Sequence, residues 1–323
     1  MQLVEFKPIL KRIRWGGRKL GTILGKPISD ADDYAESWEI ADYGQDQSIV
    51  LDGTFQGLTL HELVRRQNGE LFGIHAGLEQ FPLLIKFLDA RDRLSVQVHP
   101  NDEQARGIDP RENGKTEAWI ILEADPHSVI YAGLKPEVTR ETFESNLKAG
   151  TVESCLHCFE VSPGDCVFIP AGTVHAIGEG ILLAEIQQSS DVTFRLFDWG
   201  RLGTDGSPRE IHIDESLQCI DFDRGPVNPV VPHRVSTSGS DVEELVRSDY
   251  FVIRRHRTSE PFSIVHDNRF HILMMLRGNA ELICDTQRKN VRIGSTVLMP
   301  ADASDVRVVP DGEIILLETF LPD

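Results

Sequence analysis

In the segment LSVQVHPND (94–102), Gln97 and His99 stand two residues apart, and valines flank Gln97 on both sides. On a strand this spacing puts an amide and an imidazole on one face and Val96 and Val98 on the other. Two readings fit. The polar face meets water on a half-buried edge strand, or it turns inward and offers oxygen and nitrogen donors to a bound metal. Further along, Lys115 and Glu117 are again two apart, His175 follows a Pro-x-Gly turn, and Asp191 and Arg195 are four apart. Even spacing brings each of these pairs to one side of a strand.

Strands are what must position such residues, and the chain is rich in them. LLIKFLDA (83–90), LSVQV (94–98), AWIILEA (118–124), DCVFIP (165–170), ILLAEIQQ (181–188) and VTFRLFDW (192–199) have strand character. Gly133, Pro163-Gly164, Gly172, Gly178 and Gly180 separate several of them, which favours a β-sandwich or barrel. Two helical excursions interrupt the pattern, over about residues 57–78 and 139–158. The first opens with Thr59 and Glu62 in capping-box spacing. The second runs from Thr139 to Gly150 with Phe143 and Leu147 on one face.

The 323 residues are 40% hydrophobic and 26% charged, with a formal net charge of -18. This suits a globular protein and disfavours nucleic acid or an acidic membrane surface as partner. The opening MQLVEFKPILKRIRWGG is broken by Glu5, Lys7, Lys11 and Arg12 and is not expected to act as a secretory signal. No run reaches the roughly 18 apolar residues of a membrane span. Five cysteines in this length do not suggest a disulfide framework, so a cytoplasmic protein with reduced thiols is expected. CLHC (155–158) has no second pair to complete a zinc knuckle.

Pro226, Pro229 and Pro232, followed by Ser and Gly, mark 226–240 as a linker between residues 1–225 and 241–323. The two parts share a short repeat. GDCVFIPAGTVH (164–175) aligns with GSTVLMPADASD (294–305), and Asp305 falls where the first copy has His175. Two related β domains are therefore expected, the second without a metal site. His271 stands isolated in that second part.

Gly164, Pro170, Gly172 and His175 resemble the second sequence motif of the cupin jelly rolls, although Glu179 stands in place of the motif's usual final Asn. The first motif's H-x-H is here Gln97-x-His99, and Glu117 follows only after residues 100–116. RWGG (14–17), ESWEI (36–40), PLLIKFLDARDRLSVQVHPND (82–102), GKTEAW (114–119) and FIPAGTVHAIGEGILLAEIQQSSDVTFRLFDWGR (168–201) resemble the shorter form of type I mannose-6-phosphate isomerases. The resemblance implies a mainly β fold of two cupin-type jelly-roll barrels or sandwiches with a small helical insertion, the C-terminal one degenerate.

It also implies a reaction, the interconversion of mannose 6-phosphate and fructose 6-phosphate through an enediol. Gln97, His99, Glu117 and His175 would then be metal ligands. Two nitrogens and two oxygens suit Zn²⁺, and Mn²⁺ or Fe²⁺ accept the same donors. By resemblance, Lys115, Asp191 and Arg195 carry proton transfer and charge stabilisation. Lys86 interrupts an apolar strand and either joins Lys115 and Arg195 in contacting the phosphosugar or pairs with Asp89 or Asp92. Glu185 and Gln187 are expected to orient metal ligands. Trp15, Trp38, Trp119 and Trp199 are expected as core residues or pocket walls rather than ligand stackers. A non-catalytic sugar-binding cupin and an isomerase of another sugar are the alternatives. The protein is expected to be a monomer or homodimer.

Overall fold

The computed structural model describes residues 1–202, 206–237 and 240–323. LLIKFLDA and ILLAEIQQ each form a strand over their whole length, Leu83–Ala90 and Ile181–Gln188. They pair antiparallel with Lys86 opposite Glu185, and every residue in both is buried. A strand buried on both faces needs a layer on each side, and the fold supplies both.

These two strands lie in the middle of a six-stranded sheet. On one face, Ile85, Phe87, Ala184 and Ile186 pack with Ile272 and Leu317 of a ten-stranded sheet made mostly of the C-terminal part, and with Phe251 and Phe270 just before two of its strands. On the other face, Leu88, Trp119, Ile181 and Leu183 meet Ile130, Ala132 and Ile177 of a five-stranded sheet. The molecule is thus mainly β, as expected, and its sheets pack as sandwiches rather than closing into barrels.

The C-terminal sheet encloses a core of its own. Its two long strands, His271–Cys284 and Val306–Phe320, pair along most of their length. Leu273 and Met275 face this core from the first half of one strand, whereas Ala280, Leu282 and Cys284 face it from the second half. Odd positions give way to even ones because the register shifts between Met275 and Asn279, around Gly278 at φ 78°. A bulge of this kind turns the second half of the strand over.

The linker expected over 226–240 contains an edge strand, His233–Thr237, which pairs with Ser240–Arg247. Residues 238–239 of that linker lie outside the described residues. The first residues of the chain cross between the parts. Val4–Lys7 pairs with Thr296–Met299 on one side and with Ile49–Val50 on the other, so it completes the C-terminal sheet. Periodicity finds strands but not their partners, which is why this pairing was invisible in the sequence.

Thr59 caps helix Leu60–Arg66 through a reciprocal bond with Glu62, and Arg140–Ala149 ends at left-handed Gly150. A further helix, Asp102–Ile108, lies within residues 100–116 and carries its own capping box, Asn101 with Gln104.

A buried ion network closes the C-terminal core. His271 lies 3.0 Å from Asp267 and 2.8 Å from Glu318, and His256 reaches Glu318 at 2.8 Å. Burial opposes a charge on His271, but the bonds to Asp267 and Glu318 override it and hold the imidazole up at about 9. The folded value lies above the ordinary 6.5, so the stabilisation is complete below about pH 6.5 and is lost as pH rises through 9. His271→Gln should remove about 3 kcal/mol of this pH-dependent stability. In urea unfolding, the gap between wild type and variant should be widest at pH 6 and should close as pH passes 9.

Candidate active site

The two sheets of the first part turn polar residues toward each other. On the five-stranded sheet, Ala132, His175, Gln97 and Arg195 stand side by side across four strands. Val96 and Val98 point the opposite way, into a cluster with Phe143, Leu156 and Leu196, and this drives Gln97 inward. On the six-stranded sheet, Trp38, Lys86, Glu185 and Trp119 form one cross-strand row, and Gln187 and Glu117 form the next.

His99, Glu117 and His175 bring one donor atom each within 4.8 Å of one another, all three buried. Their orientation is fixed from behind. His175 Nδ1 lies 2.9 Å from the Thr173 carbonyl, and His99 Nδ1 lies 3.0 Å from the Val192 carbonyl. A carbonyl only accepts, so each Nδ1 carries the proton and each Nε2 keeps its lone pair toward the centre. Burial pushes His175 down to about 4 and His99 well below its ordinary range, so both imidazoles are neutral.

Glu117 faces the same centre. Burial pushes its carboxyl up to about 7, against the pull of Lys115. Its Oε1 is buried without a hydrogen-bond partner. An orphaned carboxylate oxygen in a dry interior is costly unless a cation meets it. His175 Nε2 lies 3.4 Å from that oxygen and His99 Nε2 lies 3.6 Å from the other, Oε2, so two neutral imidazole nitrogens and a carboxylate make a donor set that fits a divalent metal. Gln97 adds its amide, 3.2 Å from His175 Nε2, and a half-turn of that amide exchanges its nitrogen for its oxygen. Lys115 holds its Nζ 2.7 Å from Glu117 and 3.0 Å from His99 Nε2, so an ammonium rests on the same donors.

Lys86 is the second buried ammonium. It lies 3.6 Å from Glu36, 3.5 Å from Glu185 and 3.8 Å from Asp191, over the ring of Trp38. Burial opposes its charge, yet these carboxylates hold its pKa above the ordinary lysine range. Pairing of Lys86 with Asp89 is ruled out by parity, since residues three apart on a strand face opposite ways. Asp89 instead accepts the Lys19 amide at 2.6 Å. Glu185 reaches His175 at one remove: it accepts the Trp119 indole N–H at 3.0 Å, and that ring meets the His175 ring edge-on at 5.3 Å.

Asp191 and Arg195 do not share a strand face. The strand is only Phe194–Phe197, so alternation does not extend back to Asp191, whose side chain is 48% exposed near Lys86. Arg195 stands opposite Gln97 and donates to Ser95 Oγ at 3.3 Å and to the Glu210 carbonyl at 2.8 Å. Ser95, two residues before Gln97, was missed in the sequence although its parity could have marked it. Glu36 was missed as a polar site wall, because only pairing with the Lys86 strand brings it in beside Trp38.

A buried two-histidine, one-carboxylate centre between the sheets of a cupin-type sandwich defines a metal-binding cupin enzyme. Residues 3–143 match the family model "Phosphomannose isomerase type I, catalytic domain", and residues 241–318 match "Mannose-6-phosphate isomerase, cupin domain". The chain belongs to the type I phosphomannose isomerase family. It is 34% identical to mannose-6-phosphate isomerase ManA of Bacillus subtilis (strain 168), over 96% of this chain and 97% of that protein. It is 32% identical to mannose-6-phosphate isomerase of Streptococcus mutans, over 93% of each. The crystal structure of the mannose 6-phosphate isomerase from Bacillus subtilis superposes with a TM-score of 0.91 at 28% identity, covering 99% of both chains.

Removing one donor should empty the centre. His175→Ala is expected to weaken metal affinity by more than the roughly 100-fold that loss of an outer-shell partner can cause. Elemental analysis after dialysis and chelator competition both read this, and full metal retention in the variant would disprove the assignment of His175.

Proposed function

We propose that this enzyme interconverts mannose 6-phosphate and fructose 6-phosphate. We further propose that Gln97, His99, Glu117 and His175 hold one Zn²⁺, which when bound supplies positive charge for oxygen anions of the enediol. The observation that carries the reading is the orphaned Glu117 oxygen within a buried cluster of that carboxylate and two neutral imidazoles, in a chain of this family. The mixture of nitrogen and oxygen donors favours zinc, and Mn²⁺ and Fe²⁺ are the competitors to test.

The reaction moves a proton between C2 and C1 while charge shifts between the neighbouring oxygens. Lys115 is assigned the proton transfer, because its Nζ is buried against the ligand set and water is excluded around it. Arg195 is assigned the charge that develops on oxygen, and its guanidinium is anchored from behind by Ser95 and Glu210. Asp191, exposed at the rim, is assigned ring opening.

Lys86 is assigned to the phosphosugar. Its carboxylate neighbours stand 3.5–3.8 Å away, so its N–H groups are free to meet substrate oxygens. All five cysteines are unpaired, and among the described residues no helix is long and apolar enough to cross a membrane. We place the enzyme in the reducing cytoplasm.

Purified protein should convert mannose 6-phosphate, lose at least about 99% of that activity on chelation, and regain it with Zn²⁺. Bound metal without conversion would move the function to another sugar or to a binding role. Conversion indifferent to chelation would overturn the metal assignment.

A further inference from the structure

Lys115 sits at the end of a loop, and its side chain depends on how that loop is held. Three consecutive backbone amides are fixed. Gly114 N donates to Asp102 Oδ1 at 2.8 Å, Lys115 N donates to the Pro100 carbonyl at 3.0 Å, and Thr116 N donates to Gln188 Oε1 at 2.9 Å. Gln188 is tied in turn to Asp102, its Nε2 donating to Oδ1 at 3.0 Å. A single carboxylate oxygen therefore governs both flanks of Lys115. The contact is tight: a Cβ on Gly114 would fall 2.6 Å from the Asp102 amide.

The other oxygen of Asp102 is held from the C-terminal part. Tyr250 Oη donates to Asp102 Oδ2 at 3.0 Å. Tyr250 is itself immobilised, because Ser248 Oγ accepts the amides of Tyr250 and Phe251 at 3.2 and 3.1 Å. Phe251 is fully buried against the six-stranded sheet, where it meets Phe168 edge-on. Burial and the Asp102 carboxylate push the Tyr250 phenol up to about 12, so it remains a donor at neutral pH.

We infer that Tyr250 and Asp102 are positioning residues for the isomerase reaction: the C-terminal part, through Tyr250, orients the Asp102 carboxylate that sets the loop carrying Lys115. The inference rests on the proposed role of Lys115. It gives the C-terminal half of the molecule a part in turnover besides covering the other half. Tyr250 touches no metal ligand, so its removal should leave metal binding intact.

The experiment compares the zinc-loaded wild type with Tyr250→Phe, Asp102→Asn and the double variant. Tyr250→Phe should lower kcat about tenfold, as small misplacements of a reacting group do, with KM and metal content within twofold of wild type. The double variant should be no slower than Asp102→Asn alone, because both act through one carboxylate. Lys289→Gln is the control. Lys289 binds Glu5 and Asp52 at 2.8 and 2.9 Å and joins the same two parts away from the site. It should cost stability and leave kcat unchanged.

A Tyr250→Phe enzyme with wild-type kcat would overturn the inference, as would an equal fall in kcat with Lys289→Gln, or losses that multiply in the double variant. If Tyr250→Phe does not fold, an Asp102→Asn enzyme with wild-type kcat overturns it equally. A wild type that does not turn over mannose 6-phosphate overturns the proposed function itself, an outcome distinct from any of these.

Discussion

The buried pairing of Lys86 with Glu36 and Glu185 is the constraint on which the first part of the molecule depends. Taking an ammonium and a carboxylate out of water costs several kcal/mol for each ion, and their attraction offsets this only where geometry is held. Register holds it here: Lys86 stands across from Glu185 on one side and Trp38 on the other. A slip of one residue would carry Lys86 into the apolar layer beneath Phe251 and Phe270 and bring Ile85 and Phe87 into the site. The same interior explains the preference for a metal. Lys86 and Lys115 carry two positive charges, against three negative ones on Glu36, Glu117 and Glu185 when all are ionised. Among these five groups one negative charge is unbalanced, and Glu117 has the unpartnered oxygen.

The C-terminal sheet repeats this arrangement with other residues. Glu318 lies across from Leu273 and Arg254, as Glu185 lies across from Trp119 and Lys86. His271 lies across from Met299, as Glu117 lies across from Ile169. By register, then, His271 stands at the Glu117 position and Arg254 at the Lys86 position. The histidine takes up both Asp267 and Glu318, so Glu318 leaves neither oxygen unpartnered. Asp305, aligned with His175 in sequence, is an exposed loop residue that accepts the His266 amide. One framework thus supports an open donor set in one copy and a closed ion network in the other.

Much of the buried polar cluster was legible because it obeys local rules. Gln97 follows strand parity, His175 follows its Pro-x-Gly turn, and Lys115 and Glu117 meet through the two-residue spacing. Parity failed for Asp191, where the strand is shorter than its composition suggests. What was not legible is set by pairing between distant segments. Glu36 comes to Lys86 from fifty positions earlier in the chain, Tyr250 meets Asp102 across 148 positions, and Val4 finds Leu298. A pattern of period two says which face a residue takes, but not which strand lies beside it.

These long-range pairings make the two parts one folding unit in spite of the proline-rich segment between them. Strands Leu83–Ala90 and Ile181–Gln188 carry apolar residues on the face opposite the site, and those residues meet the C-terminal sheet. Each such side chain left in water forfeits about 1.5–3 kcal/mol. The first strand of the chain is an internal member of the C-terminal sheet, so neither part is complete without residues of the other. Lys26 reinforces the junction from a buried position, donating to Glu39 at 2.6 Å and to the Gly294 carbonyl at 2.7 Å. The covering sheet therefore lets the site strands be buried on both faces, and that double burial keeps Lys86 and Glu117 dry enough for their charges to matter.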